Sequence, residues 1–368
     1  GVIHRLDKPV SGVMVYAKTK NAAAALSKQV AEGKMHKKYL AVLCGKPVDN
    51  VEKYVERCII SVLNQTMQEG VEVIIVNDCT PDCSMEIIRK TLCAYGKENG
   101  MTVHIIEHET NRGLAASRNT AMKWATGDYV IHIDSDDYIE EDMLEKMYSR
   151  VMETNADILL ADYWVEYLDK SLYVKIPYDE CRKSFLRNIV RGECNPLWIK
   201  LVRRSLYLMN NINWSEGMDM AEDYTITIPL CFSAKKIVYI PYAFYHYIKY
   251  NASAITIKKI SQKEVDGWIH AANMLKQFFL KENNSEYDKD IGYFLLLTKY
   301  NCIKYSQKEL GMEYAKLYLE ANKYRYYSIN KVRTLQTKMG IFLISLNCIS
   351  AFYYCQYIRR WLKAFLKV

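Results

Sequence analysis

Proline is scarce in this sequence, with 7 in 368 residues, while tyrosine is abundant at 30. That balance argues against long disordered stretches. No internal repeat recurs at a solenoid period, which excludes repeat architectures. The 11 cysteines are odd in number and share no repeating spacing. Cys79 and Cys83, in CTPDC, come nearest to a metal knuckle, but no second pair follows. Reduced, mostly buried thiols of a cytoplasmic protein are expected. An initiator Met, a basic n-region and an apolar signal core are missing at Gly1, so a piece of a longer reading frame is expected. Long uncharged runs are missing too, except for Gly340 to Ile358, after which the chain turns basic. Ser345, Asn347, Ser350 and Gln356 interrupt that run. An interfacial helix with a cationic flank, or a helix packed on the domain, fits it better than a membrane span.

What is present is enough for one large domain or two ordinary ones. Half of the residues are hydrophobic, and the formal charge is +8. That charge suits RNA, an acidic membrane surface or a phosphorylated substrate, and does not choose among them.

From Val51 strands and helices alternate. VEKYVERCIISVLNQT reads as an amphipathic helix and VEVIIVND as a buried strand with a polar end. SMEIIRKTLCAYGKENG reads as helix, MTVHIIEHE as strand, and GLAASRNTAMKWATG as helix. DYVIHIDSDD is strand again, EEDMLEKMYSRVMETN helix, and ADILLADYWVEY a long strand. Upstream, KNAAAALSKQVAEG predicts a helix closed by Gly33, and KKYLAVLCG a strand. Beyond residue 256 the pattern is helical. Continuous apolar strands between helices predict a mainly parallel sheet covered on both faces, with ligands bound beyond the carboxyl ends of its strands. Asp78 lies at one such end, and Asp134, Asp136 and Asp137 lie at another.

Three carboxylates within four residues repel one another, and a hard divalent cation offsets that repulsion. Acidic residues also favour a helix start, which accounts for Asp137 equally well. His246 could reach a metal or diphosphate, though a buried hydrogen-bonded His is the simpler reading. Trp198 and Trp214 could touch a sugar, with core packing the default.

The segments VEVIIVNDCTPDCS, NRGLAASRNTAM, GDYVIHIDSDDYI, WIKLVRRSLY, GMDMAEDYTI and YHYIKYNASAIT, in this order, resemble the family 2 glycosyltransferases. The resemblance runs from about Val51 to Thr256. It implies a GT-A fold, Rossmann-like and α/β, with a C-terminal helical region beyond it. It assigns Asp78 to the nucleotide base, and Asn111, Arg118 and Asn119 to the nucleotide and donor sugar. Asp134 and Asp136 match the family's D-x-D, with Asp136 the direct ligand of Mn or Mg. Asp223 matches the catalytic base, and Glu222 stands beside it. Implied partners are a nucleotide-sugar donor, UDP-linked, and a glycan or lipid-linked acceptor of the cell envelope. Peripheral contact with the cytoplasmic face of the membrane is a further expectation.

Residues 1–47 carry a second resemblance. GVIHRLDKPVSGVMVYAKT and KKYLAVLCGKP are similar to the large-subunit-type RNA pseudouridine synthases. Asp7 matches that family's attacking Asp, Arg5 its motif partner and Tyr39 its active-site tyrosine, while Val10 stands where Thr is usual. No continuation of that fold follows, and without a pocket Asp7 cannot hold a flipped base. A fusion of two truncated genes is expected, its N-terminal α+β fragment (1–47) non-catalytic. The expected divisions are 48–256 for the glycosyltransferase domain, 257–335 helical and 336–368 amphipathic helix. At the junction Asp49 replaces a tyrosine that in the family helps hold the base. KYLAVLCGKP must then stand where the first strand of the sheet belongs. RNA pseudouridylation and a catalytically impaired fusion remain the alternative readings.

Overall fold

The structure, a computed structural model, describes residues 39–45, 52–95, 100–218, 220–251, 260–282 and 285–365. The helix expected over 20–33, and residues Arg5 and Asp7, lie outside them.

The chain divides into two compact units. The first holds the described residues within Gly1–Ile176, Pro196–Gly217 and Leu230–Lys258. Its core is a nine-stranded sheet in the order β3-β2-β1-β4-β8-β6-β9-β5, with β7 paired to β6. The strands are β1 (Tyr39–Gly45), β2 (Val71–Asn77), β3 (Thr102–Glu107), β4 (Tyr129–Asp134) and β5 (Tyr138–Ile139), followed by β6 (Ile158–Glu166), β7 (Ser171–Val174), β8 (Lys200–Arg203) and β9 (Ile237–Ile248). The first four form a parallel block. Beyond it the sheet is mixed: β8 runs antiparallel to both β4 and β6, and β9 runs parallel to β6 but antiparallel to β5.

The position of β1 answers the question raised by the junction. It lies between β2 and β4, and its register runs unbroken from Tyr39↔Val71 to Gly45↔Asn77 on one side. On the other it runs from Tyr39↔Tyr129 to Cys44↔Asp134. A strand of Tyr, Leu and Val suits a pleated, enclosed position. Gly45 costs it a side chain but no pairing.

The helices of the parallel block are α1 (Glu52–Leu63), α2 (Ser84–Tyr95), α3 (Leu114–Trp124) and α4 (Met143–Thr154). On α1, Val55, Cys58, Ile59, Val62 and Leu63 are buried, the i, i+3, i+4, i+7, i+8 stripe of a helix laid on a sheet. Gln65, fully buried just past its end, donates to the Ser61 and Glu140 carbonyls and accepts from the Leu144 N–H. Both β2 and β4 are buried along almost their whole length, as a sheet layered on both faces requires.

The second unit holds Pro177–Asn195, Met218–Pro229 and the described residues within Lys259–Val368. It is helical, with α5 (Arg182–Val190), α8 (Gln262–Glu282), α9 (Asp288–Tyr305), α10 (Lys308–Tyr314), α11 (Arg325–Lys331), α12 (Leu335–Ser345) and α13 (Ile349–Phe365). A short helix, α6 (Arg204–Met209), belongs to the first unit, and α7 (Glu222–Ser233) contains Pro229, where the division falls. The boundaries thus differ from a single cut near residue 256. Residues 177–195 and 218–229 join the C-terminal helices, which themselves form one unit rather than two. Among the described residues, no helix is long and apolar enough to cross a membrane.

Candidate active site

β2 ends at Asn77, and Asp78 beyond it is buried. Its Oδ1 accepts from the Arg112 N–H at 2.8 Å and meets His108 Nδ1 at 2.7 Å. Its Oδ2 accepts from the Gly113 N–H at 2.6 Å. The Asp78 carbonyl accepts from the Asn111 side-chain amide at 2.9 Å. His108 Nε2 lies 2.8 Å from Thr120 Oγ1 on α3. Gly113, at φ 88°, makes the left-handed turn into α3 that a side chain would strain. One carboxylate therefore fastens the whole 108–113 loop to the sheet edge. Replacing Asp78 with Ala would leave the Arg112 and Gly113 N–H groups without their acceptor. We expect a loss of about 3–5 kcal/mol in urea unfolding, because these are buried bonds to a charge.

β4 delivers the carboxylate cluster, and the structure divides it. Asp134 pairs with the buried Arg118 of α3, Nη2 to Oδ1 3.3 Å. Asp136 accepts from the Asn251 side-chain amide at 2.9 Å. Asp137 is different: fully buried, it accepts from the Tyr245 hydroxyl at 2.7 Å and from the Ile248 N–H at 2.8 Å. The Tyr245 hydroxyl in turn accepts from the Asp134 N–H at 3.0 Å. Asp137 is thus a tie to β9, and Asp134 and Asp136 remain as the outward pair. The helix-start alternative for Asp137 is replaced by this strand-to-strand role.

The electrostatics follow from that division. Burial raises Asp136 above the usual carboxylate range, opposed by the Asn251 hydrogen bond and the Arg57 charge. Burial, then Asp136 and Asp134, raise Asp137 further, against its bonds to Ile248 and Tyr245. Arg57 of α1 is a residue the sequence reading passed over. Its guanidinium lies 4.2 Å from the Tyr138 ring centre, and Nη1 donates to the Tyr250 hydroxyl at 3.0 Å. A polar residue beside the buried stripe of α1 was its only signal.

Asn119, expected to meet the nucleotide and donor sugar, is engaged within the fold. Its amide makes a two-bond clamp on the Trp214 backbone, at 2.8 and 3.0 Å. Asn111 is likewise engaged by the Asp78 carbonyl. Trp214 is buried against His132, and Trp198 is buried and stacked on Tyr245 at 4.4 Å. Both are core residues. His246 is held by Glu166 at 2.8 Å through Nδ1 and by Glu140 at 2.9 Å through Nε2, and stacks on Tyr138 at 4.1 Å. It is the buried, hydrogen-bonded histidine of the simpler reading.

Glu222 and Asp223 belong to the second unit, in the first turn of α7. The residue before them, Ala221, has φ 65°, a left-handed conformation that a side chain pays for. Two contacts hold this turn. Gly267 of α8 comes so close to the Met220 carbonyl that a Cβ would stand 2.9 Å from it, and Tyr224 packs against Gly192 and Phe294. Strain held by close packing marks this turn as a built feature.

Tyr39 opens β1, within the sheet just described. None of the ten cysteines that can be placed is in a disulfide. Cys58, Cys194, Cys231 and Cys302 are buried but five others are exposed, which corrects the expectation of mostly buried thiols. Burial, and then the carboxylates of the cluster, push the Cys58 thiol up, so it stays a neutral thiol beside the Asp134 carbonyl.

The donor set can be tested against Mn or Mg. Among the described residues, no group of three or more His, Cys, Asp or Glu forms a ready metal cage. Mg-type sites need none: one or two carboxylates and the phosphates of a substrate suffice. Asp136, half-buried, with one amide hydrogen bond and the Arg57 charge as partial relief, is a hard oxygen donor. With Asp134 it fits such a cation.

An open α/β sheet with these side chains at the carboxyl ends of β2 and β4 defines a ligand-binding α/β protein. Residues 47–197 match Glycosyl transferase family 2. The chain is similar to EpsH of Bacillus subtilis (strain 168), 29% identical over 274 residues, covering 72% of this chain and 76% of that one. It is similar to the poly(ribitol-phosphate) beta-glucosyltransferase of Bacillus spizizenii, 30% identical over 227 residues, 60% of this chain and 34% of that one. Among solved structures it resembles S. aureus TarS 1–349 in complex with UDP-GlcNAc, with TM-score 0.67, 20% identity, and coverage of 86% of this chain and 89% of that one. Over residues 47–197 the chain thus matches the family 2 glycosyltransferases, its sheet with a C-terminal helical region has a GT-A-like fold, and the relatives it matches are glycosyltransferases.

Proposed function

We propose that the enzyme moves a sugar from a UDP-linked donor to a glycan or lipid-linked acceptor of the cell envelope, with inversion at the anomeric carbon. The observation that carries this reading is the outward pair Asp134 and Asp136, backed by the buried Arg118 and set beside the Asp78-fastened loop. The printed names of relatives support the substrate class: one acts on poly(ribitol-phosphate), and one fold relative is in complex with UDP-GlcNAc.

In this reading Asp134 and Asp136 would hold a divalent cation beside the donor diphosphate. When bound, that cation neutralises the charge that builds on the diphosphate as it leaves. Asp78, through the acceptor capacity left on Oδ2, takes the base N–H, and the loop it fastens carries Asn111 toward the nucleotide. Arg118 acts through Asp134, fixing that carboxylate, and Asn119 acts through the Trp214 loop. Asp223 accepts the proton of the acceptor hydroxyl while its oxygen bonds to the anomeric carbon. The bond from that carbon to the diphosphate oxygen breaks, and the electron pair leaves on the nucleoside diphosphate. Glu222 stands beside the base in the same strained turn.

β1 serves the transferase sheet, so the reading gives Tyr39 a structural place and assigns Asp7 and Arg5 no RNA chemistry. Asp223→Asn is expected to lower transfer about 10³-fold at unchanged melting temperature. The product anomer, read by proton NMR against the donor's, should be inverted. Retention of configuration would overturn the single-displacement mechanism.

A further inference from the structure

The positive charge of this chain is not spread evenly. From Ala321 to Val368 the sequence has nine Lys and Arg and no Asp or Glu. That +9 exceeds the whole chain's formal +8, so the preceding 320 residues sum to −1. A uniformly basic protein would suggest general solubility or weak polyanion binding; a block of this kind concentrates the charge in one stretch of the chain.

The same segment leaves apolar side chains in solvent. α12 buries Gly340, Ile341 and Ile344, and turns Leu335, Met339, Phe342 and Leu346 outward. Those four fall at i, i+4, i+7 and i+11, one continuous stripe, with Leu335 72% exposed. α13 repeats the arrangement. Ile349 and Phe352 are buried, while Tyr354, Tyr357, Ile358 and Trp361 fall at i, i+3, i+4 and i+7 on the exposed side. Tyr357 is 67% exposed and Trp361 53%. Arg359 of α13 hydrogen-bonds Gln336 of α12, joining the two helices. The sequence of α13 adds Arg359, Arg360 and Lys363 in its last turns. Exposed tyrosine and tryptophan in a helix whose sequence is rich in cations is the composition of a helix lying in a membrane interface. Such aromatic rings suit the headgroup level, one end apolar and the other wet.

We propose that the outer face of α12 and α13 docks on an anionic lipid surface, with the apolar stripe of α12 and the aromatic stripe of α13 at headgroup depth and the basic segment drawing them there. The inference goes beyond sugar transfer and does not depend on it. It names the face behind the peripheral contact expected from sequence. Neither helix spans the bilayer, since no described helix is long and apolar enough.

The test is co-sedimentation of the full chain with extruded vesicles of phosphatidylcholine alone, or with about two-fifths phosphatidylglycerol, at about 0.1 M salt. The proposal expects at least about 10-fold stronger partitioning to the anionic vesicles, and clear weakening at about 0.5 M salt. The exposed pair Tyr357→Ser/Trp361→Ser should weaken it about 10-fold or more, with an unchanged melting temperature. Lys338→Glu/Lys363→Glu is the second variant, and should weaken it without removing apolar surface. Equal binding to both vesicles, no binding, or binding unchanged in both variants would overturn the proposal. So would a salt-resistant dimer lost in the first variant, which would make a second copy the occupant. Binding of an RNA homopolymer without any vesicle binding would overturn it in favour of nucleic acid.

Discussion

Asp136→Asn should lower sugar transfer about 10³-fold or more while leaving the protein at least as stable as before. The two halves of this expectation have one cause. Asp136 sits where burial penalises its negative charge, with one amide bond and the Arg57 charge as partial relief. A carboxylate raised in this way costs the folded protein stability once pH exceeds the ordinary carboxylate value, because the folded state then holds a charge that water would solvate better. Asn keeps the shape, removes the charge and removes the hard ligand. A residue retained for folding would behave in the opposite way, losing stability on substitution. Paired measurements of turnover and thermal melting separate the two cases, and a drop in melting temperature with turnover intact would refute the ligand role.

The second large effect lies far from this chemistry in sequence. Lys299 of α9 is fully buried, and its Nζ has no hydrogen-bond partner among the described residues. Burial pulls it down to about 8, with Glu320 pulling the other way. Glu320 is itself ion-paired with Lys276. Lys299→Met is therefore expected to raise stability by about 2–3 kcal/mol at pH 7. The sign follows from proton counting. Between about pH 8 and the ordinary lysine value of about 10.5, the unfolded chain binds the proton and the folded one does not. Stability of the parent protein thus rises with pH across that window, and the gap to the Met variant closes. Urea unfolding at pH 7 and pH 10 reads both values. A variant less stable at pH 7, or a gap that does not narrow by pH 10, would show that the ammonium is compensated.

Most of the parallel block was legible in the sequence because each strand there is enclosed on both faces and so reads as an apolar run. VEVIIVN and YVIHID need no context to be recognised. β9 was not legible for an equally physical reason. It contains Pro241, which cannot donate to a ladder, and the register against β6 skips from Ala161↔Ile240 to Asp162↔Ala243 around it. The irregularity carries its own polar anchor, since Asp162 accepts from the Tyr239 and Tyr173 hydroxyls and the Ile176 N–H. β8 has four residues, too few for a period to register. In the candidate site, spacing located the cluster of Asp134, Asp136 and Asp137 but could not tell which side chain turns inward. That is decided by Tyr245 and Ile248, more than a hundred residues downstream. The clamp of Asn119 on the Trp214 backbone was not legible for the same reason, since its partner is distant in sequence.

The central claim is that Asp136 and Asp223 act in one nucleotide-sugar-dependent transfer. Its most direct measurement is nucleoside diphosphate release from a panel of nucleotide-sugars with Mn or Mg, in the parent protein and in Asp136→Asn and Asp223→Asn. The account predicts release from a UDP-linked donor in the parent and near-loss in each variant. Release that persists in both variants, or no release with any donor while the protein remains folded, would contradict it.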